Sequence, residues 1–239
     1  MLDGITTMNT LVIMAKHPVP GTVKTRLAAS LGGQAAAELA EAFLEDLVVR
    51  LDGSADRQVL ATWPDNDAAG SFFETLSAER FQLWTQPGGS LGTRLARVIS
   101  DHLAPFSDDR VVVIGSDSPT LPTEMIQAAF EALDRVDVVV APADDGGYVL
   151  IGQRREIPGL YERINWSTSQ VWQQTRDHLI ASGTPFVELD GWYDIDTLDD
   201  LCRLDRELGP GDRQGRAGQL TRQRIDRLPP GWDTRPTEG

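Results

Sequence analysis

Short, unbroken apolar runs alternate along this chain with stretches whose apolar positions recur at helical spacing. Leu11-Val12-Ile13-Met14-Ala15 is continuous and bounded by polar or proline-containing sequence, as expected of a strand buried on both faces. Gly33 to Leu51 then carries Ala36, Leu39, Ala40, Phe43, Leu44, Leu47 and Val48 at a helix period. The same reading predicts strands at residues 58–62, 81–84, 110–114, 136–141, 148–151 and 185–189. It predicts helices at 68–76, 91–103, 122–133, 169–181 and 197–208. Arg110-Val111-Val112-Val113-Ile114 and the run from Val136 to Ala141 are the other two clear buried strands.

Strand–helix alternation of this kind indicates an α/β fold with a mainly parallel sheet flanked by helices. One domain over residues 10–208 is expected, preceded by a short extension (1–9). A polar Arg/Pro/Gly-rich tail follows (209–239), extended unless Ile225, Leu228 and Trp232 dock on the body.

Composition narrows the function classes. A net charge of −14 argues against broad contact with a nucleic-acid backbone, and no apolar run approaches the ~20 residues of a membrane span. The single Cys202 excludes an internal disulfide framework and a thiolate zinc site. A cytoplasmic setting follows as the expectation. Of 22 basic residues only Lys16 and Lys24 are lysines, and they share one segment. Either two rare residues cluster by chance, or that segment requires compact ammonium charges rather than guanidinium forks.

In an open parallel sheet, ligands gather at the carboxyl ends of the strands. After the first strand, Pro18, Pro20 and Gly21 stiffen a loop that runs through Thr25 and carries Lys16, Lys24 and Arg26. Three cations there suit a di- or triphosphate, although a solvated basic loop reads similarly; the spacing is not that of a Walker A loop. After residues 110–114 comes Gly115-Ser116-Asp117-Ser118-Pro119. Asp117 is placed to bind Mg²⁺, while helix capping would suit Ser118 or Thr120 better. Asp144-Asp145-Gly146-Gly147-Tyr148 offers carboxylates for a substrate hydroxyl, or a hairpin turn. In Asp194-Ile195-Asp196 the two carboxylates share one face of an extended segment and form a second candidate metal element; Asp196 could instead cap the helix at Thr197. Trp166 could stack on a base or sugar, or belong to the core; His178 and Cys202 read as packing or surface residues.

Five blocks in register resemble one family. They are Lys16-x-Pro18-x-Pro20-Gly21-x-x-Lys24-Thr25-Arg26-Leu27; Leu91-Gly92-x-Arg94; Gly115-Ser116-Asp117-x-Pro119-x-Leu121; Asp145-Gly146-Gly147-Tyr148-x-Leu150-Ile151-Gly152; and Trp166-Ser167-Thr168 followed by Asp194-x-Asp196-Thr197. Together they are similar to bacterial GT-A-fold transferases, formerly a domain of unknown function and often described as radical-SAM/selenodomain-associated transferases. The resemblance spans about Leu11 to Leu204. Ser90 departs from it, standing where relatives carry an acidic residue.

The resemblance implies a nucleotide-diphospho-sugar-transferase architecture, with Mg²⁺ or Mn²⁺ on Asp117, Asp194 and Asp196. It implies nucleotide and substrate contacts from Lys16, Pro20, Gly21, Thr25, Arg26, Arg94, Ser116, Gly146, Gly147, Tyr148 and Trp166. Lys24, Asp117 and Asp145 are the expected catalytic residues. Similarity of the first loop and the Gly-x-Asp-x-Pro block to molybdenum-cofactor and phospholactate guanylyltransferases favours nucleotidyl transfer to a small phosphorylated acceptor. Glycosyl transfer from a nucleotide-diphospho-sugar is the alternative, and a non-catalytic nucleotide-binding module the third. The partners expected are the nucleotide and the acceptor, with no nucleic acid or membrane; a homodimer stays open.

Overall fold

The computed structural model describes residues 7–103, 108–209 and 218–233. Among the described residues the chain forms seven strands and eight helices. In order these are β1 (Asn9–Lys16), α1 (Thr25–Leu31), α2 (Gly33–Arg50), β2 (Arg57–Trp63), α3 (Asp67–Ser77), β3 (Gln82–Thr85), α4 (Leu91–His102) and β4 (Arg110–Gly115). There follow α5 (Thr123–Ala132), β5 (Val138–Pro142), β6 (Tyr148–Gln153), α6 (Val171–Ala181), β7 (Phe186–Glu188), α7 (Leu198–Leu208) and α8 (Gln219–Ile225).

The strands make one sheet in the order β3-β2-β1-β4-β6-β5-β7. All neighbours are parallel except β6, which runs antiparallel between β4 and β5. The mainly parallel α/β sheet expected from the pattern is therefore present. The short connection from β5 to β6 is a hairpin, the turn reading of Asp144–Gly147.

Period-two alternation sorts the sheet's side chains into two layers. Leu11, Ile13 and Ala15 of β1 pack on one face with Leu44 and Leu47 of α2, Phe73 of α3 and Ile126 of α5. Val12 points to the other face, among Leu95, Val98 and Ile99 of α4 and Leu179 of α6. Burial on both faces explains why the central strands read as unbroken apolar runs.

A third cluster sits at one flank, where Leu27, Leu39, Phe43, Tyr193, Ile195, Leu201 and Leu204 meet Ile225 of α8. One helix here differs from the sequence expectation. The seven-residue α1 starts at Thr25, inside the segment read as loop, and buries Leu27. Beyond residue 208, α8 forms and Ile225, Leu228 and Trp232 dock, the outcome the sequence left open beside an extended tail.

A seven-residue helix is marginal alone, so α8 depends on what holds it. The buried Asp46 carboxylate accepts from the Leu220 and Thr221 backbone N–H groups at 3.0 and 2.8 Å. Asp46→Ala leaves two N–H donors without their partner, and such a loss costs about 1–3 kcal/mol. We expect a lower Tm and faster amide exchange confined first to residues 218–228. Exchange in α8 that stays at the wild-type rate would show that packing alone secures it.

Candidate active site

The strand order reverses beside β1: the chain runs outward through β2 and β3, then returns to place β4 on β1's other side. Such a switch point leaves a crevice at the carboxyl ends of the two strands. Here it is a cleft of about 420 Å³, and Lys16, Lys24, Arg94, Ser116, Asp117, Tyr148, Asp194 and Asp196 line it together with Trp63 and Gln86.

At its centre the Lys24 ammonium lies 2.5 Å from Asp117 Oδ1 and 3.0 Å from Asp196 Oδ1. The lysine side chain is 4% exposed, whereas the two carboxylates are 49% and 40% exposed. Burial alone would push the ammonium's pKa down; the Asp117 and Asp196 carboxylates outweigh it and hold the group above its ordinary value. Lys24 takes a left-handed backbone conformation (φ 46°) just before α1, a non-glycine strain of the kind that gathers at functional sites.

The carboxylates are set by backbone ties. Ile195 N–H donates to the Asp117 carbonyl at 2.9 Å, joining the loop after β4 to the segment before α7. Tyr193 and Ile195 turn into the flank cluster, so the alternating Asp194 and Asp196 face the cleft, as the Asp-x-Asp spacing predicts. Asp196 is not the helix cap: Thr197 is, in a capping box with Asp200. Ser118 does not cap α5 either; its hydroxyl donates to Asp194 Oδ1 at 2.6 Å. Burial first, and then the nearby Asp117 charge, push Asp194 up to about 7.

Several expected residues lie outside this lining. Pro20, Gly21, Thr25 and Arg26 are exposed, the last two on the first turn of α1. Asp145 and Gly147 belong to the hairpin turn, where Asp145 Oδ1 accepts from Gly147 N–H at 2.8 Å. Gly146 (φ 88°) is needed there for packing, because a Cβ would collide with the Ser169 backbone. Trp166 lines a neighbouring cavity of about 750 Å³. Its ring packs edge-on to Tyr148, and a Cβ on Gly92 would come within 2.7 Å of its Nε1. Ser90 caps α4, accepting from Thr93 N–H at 3.1 Å.

Three contributors escaped the sequence reading. Trp63 ends β2 and Gln86 follows β3, so the strand-end rule applied to every strand would have found them. Arg50, at the end of α2, donates to the Pro119 carbonyl at 2.9 Å and to the Leu121 carbonyl, bracing the loop that carries Asp117. No local signal marks it.

A buried carboxylate with a raised pKa weakens the fold as it ionises. Asp194's penalty is absent below its unfolded value near 3.8 and complete above about 7. In EDTA-containing buffer, Asp194→Asn should therefore melt with wild type near pH 4, gain over it between pH 4 and 7, and keep the gain above. Parallel melting curves at every pH would sink this account.

Comparison with known proteins bears on the fold. A structure of a candidate nucleotide-diphospho-sugar transferase from Desulfovibrio desulfuricans G20 superposes with a TM-score of 0.84 at 29% identity, covering 92% of this chain and 95% of that one. The 4-diphosphocytidyl-2C-methyl-D-erythritol synthase of Anaerococcus prevotii shares the fold at a TM-score of 0.55 and 14% identity, over 84% of this chain and 96% of its own. A CMP:2-keto-3-deoxy-manno-octonic acid synthetase complexed with CTP does so at 0.50 and 11%, over 83% and 97%. The curated proteins contain no match. The α/β, GT-A-like architecture implied by the sequence is thus the one observed. Residues 35–168, more than half of the chain, match an uncharacterized family conserved in bacteria (DUF2064), and the chain belongs to that family.

Proposed function

We propose that the protein is a transferase acting on a nucleotide substrate, and that it transfers a nucleotidyl group from a nucleoside triphosphate to a small phosphorylated acceptor. The observation that carries this is the charge gathered in the cleft, where Lys16, Lys24 and Arg94 stand with Asp117, Asp194 and Asp196. Asp117 and Asp196 are held by Lys24, and Asp194 by the Ser118 hydroxyl. Transfer to an acceptor hydroxyl calls for a base, and Asp145, the residue expected to supply it, sits in the hairpin turn outside the cleft lining. An acceptor phosphate needs none, being an ionised nucleophile already.

In this reaction an acceptor phosphate oxygen attacks the α-phosphorus. The new P–O bond forms as the bond from the α-phosphorus to its bridging oxygen breaks, and pyrophosphate leaves with that electron pair. Lys16, at the mouth of the loop, and Lys24 neutralise the phosphates, and the Asp117 loop braced by Arg50 fixes their position. CTP bound to a synthetase of the same fold supports triphosphate use.

The donor set fits a divalent cation conditionally. Among the described residues no group of three or more His, Cys, Asp or Glu is arranged to hold a metal alone. Yet burial, and after it the Asp117 charge, raises Asp194, and one ammonium serves the aspartates around it. Asp117, with Asp194 or Asp196, would hold Mg²⁺ or Mn²⁺ once nucleotide supplies further oxygens. When bound, it offsets the charge developing on the phosphates.

The name of the Desulfovibrio relative favours a second reading, glycosyl transfer from a nucleotide-diphospho-sugar. One assay separates them. With Mg²⁺, a panel of nucleoside triphosphates and phosphate-bearing acceptors should yield pyrophosphate. No pyrophosphate, with nucleoside diphosphate released from a nucleotide sugar, would establish the second reading instead.

Lys24 offers an independent check. A charge-assisted contact is worth about 1.5–3 kcal/mol, so Lys24→Met should lower kcat/KM for the triphosphate about 10- to 100-fold. Without the ammonium, Asp117 and Asp196 face each other unneutralised. Mg²⁺ alone should then raise the variant's Tm and leave wild type unmoved in the absence of nucleotide. A variant as indifferent to Mg²⁺ as wild type would remove these carboxylates from the metal assignment.

A further inference from the structure

The cleft's charges are not evenly matched. Lys24 has two carboxylate partners, and Lys16 donates to the Thr22 carbonyl at 2.6 Å. Arg94, on the first turns of α4, has no carboxylate partner among the described residues. Its guanidinium lies 5.1 Å over the Trp63 ring, and one terminal nitrogen donates to Gln86 Oε1 at 3.3 Å. Its Nε is buried without a hydrogen-bond partner.

Gln86 is itself fixed. It is 4% exposed, and its amide nitrogen donates to the Ala61 carbonyl at 2.6 Å and the Ala15 carbonyl at 3.2 Å. With the amide hydrogens turned to those strand ends, only the carbonyl oxygen is left for Arg94. The indole face and the amide together hold the fork in one plane without spending its charge. A planar, pre-oriented and uncompensated cation in a cleft suits a two-oxygen anion, a carboxylate or a phosphate monoester.

We propose that Arg94, held by Gln86 and Trp63, is the seat of the acceptor's anionic group, so that the acceptor enters as an anion on the side of the cleft away from Lys24. This rests on the transferase reading above and deepens it: the nucleotide's phosphates belong to the lysine loop, and the anion on Arg94 belongs to the second substrate. The acceptor's phosphate or carboxylate is thereby recognised by a fork rather than by a point charge.

Calorimetry on the intact protein tests this with simple probes. Mg²⁺-pyrophosphate first saturates the lysine end; methyl phosphate or acetate is then titrated. Wild type should take up one of the two, and the tighter one names the acceptor's group. Arg94→Gln should lose about 10- to 100-fold of that affinity, the range for a charge-assisted pair, with pyrophosphate affinity unchanged. Arg94→Lys, which keeps the charge and aliphatic stem and so covers the case of a poorly folding glutamine variant, should fall between. The proposal is overturned if wild type binds neither anion, if Arg94→Gln binds them as wild type does, or if pyrophosphate affinity falls as far as theirs. Arg94-dependent anion uptake by a wild-type protein that holds no pyrophosphate or nucleotide would leave the seat in place and defeat the transferase reading.

Discussion

The site depends on one buried ammonium shared between two half-exposed carboxylates. Lys24 comes from the loop after β1, Asp117 from the loop after β4 and Asp196 from the segment before α7. These lie far apart in the chain, and the sheet brings only the first two into register. A lysine side chain 4% exposed cannot lose both partners cheaply, because an unpaired charge out of water costs several kcal/mol. Each carboxylate, by contrast, keeps an open side, where the pairing is screened and exchangeable. The asymmetry holds three segments together and still leaves anionic oxygens facing the ligand space.

Everything around that contact limits how far it can drift. The Ile195 N–H bond, the Ser118 hydroxyl and the Arg50 guanidinium each tie a different side of the two acidic segments. Behind them the flank cluster packs α1, α7 and α8 around Ile195, itself fully buried. Helix α8 is thus part of the support for the site, although among the described residues beyond α7 none lines the cleft.

The sequence was informative where one physical rule dominates and silent where tertiary contact decides. Burial on both faces wrote β1, β4 and β5 as apolar runs, and the strand-end rule led to Lys16, Asp117 and, with the period-two pattern, to Asp194 and Asp196. The hairpin reading at Asp144–Gly147 makes β6 antiparallel to β5, but its insertion between β4 and β5 could not be read from Tyr148–Ile151, since a short apolar run carries no mark of its sheet neighbours. Arg26 and Thr25 were assigned to a phosphate loop because nothing local separates a basic loop from the first turn of α1. The glycines at 146 and 147 signalled close approach, and the groups that approach are the Ser169 backbone at Gly146 and the Asp145 carboxylate at Gly147. Arg50 acts across the fold on backbone carbonyls, a partnership with no spacing to detect.

Gly92 gives the helix beside the cleft an unusual property. The position has room for a hydrogen and nothing larger: the Trp166 ring and the Tyr161 carbonyl both stand within 2.7 Å of where a Cβ would be. Gly92 and Trp166 line the 750 Å³ cavity, while Leu91 and Arg94 of the same helix line the 420 Å³ cleft. A side chain acquired at position 92 would press on the Trp166 ring, and that ring packs edge-on to Tyr148, which lines the cleft. A glycine on one helix thereby links the cavity to the cleft through two packed rings.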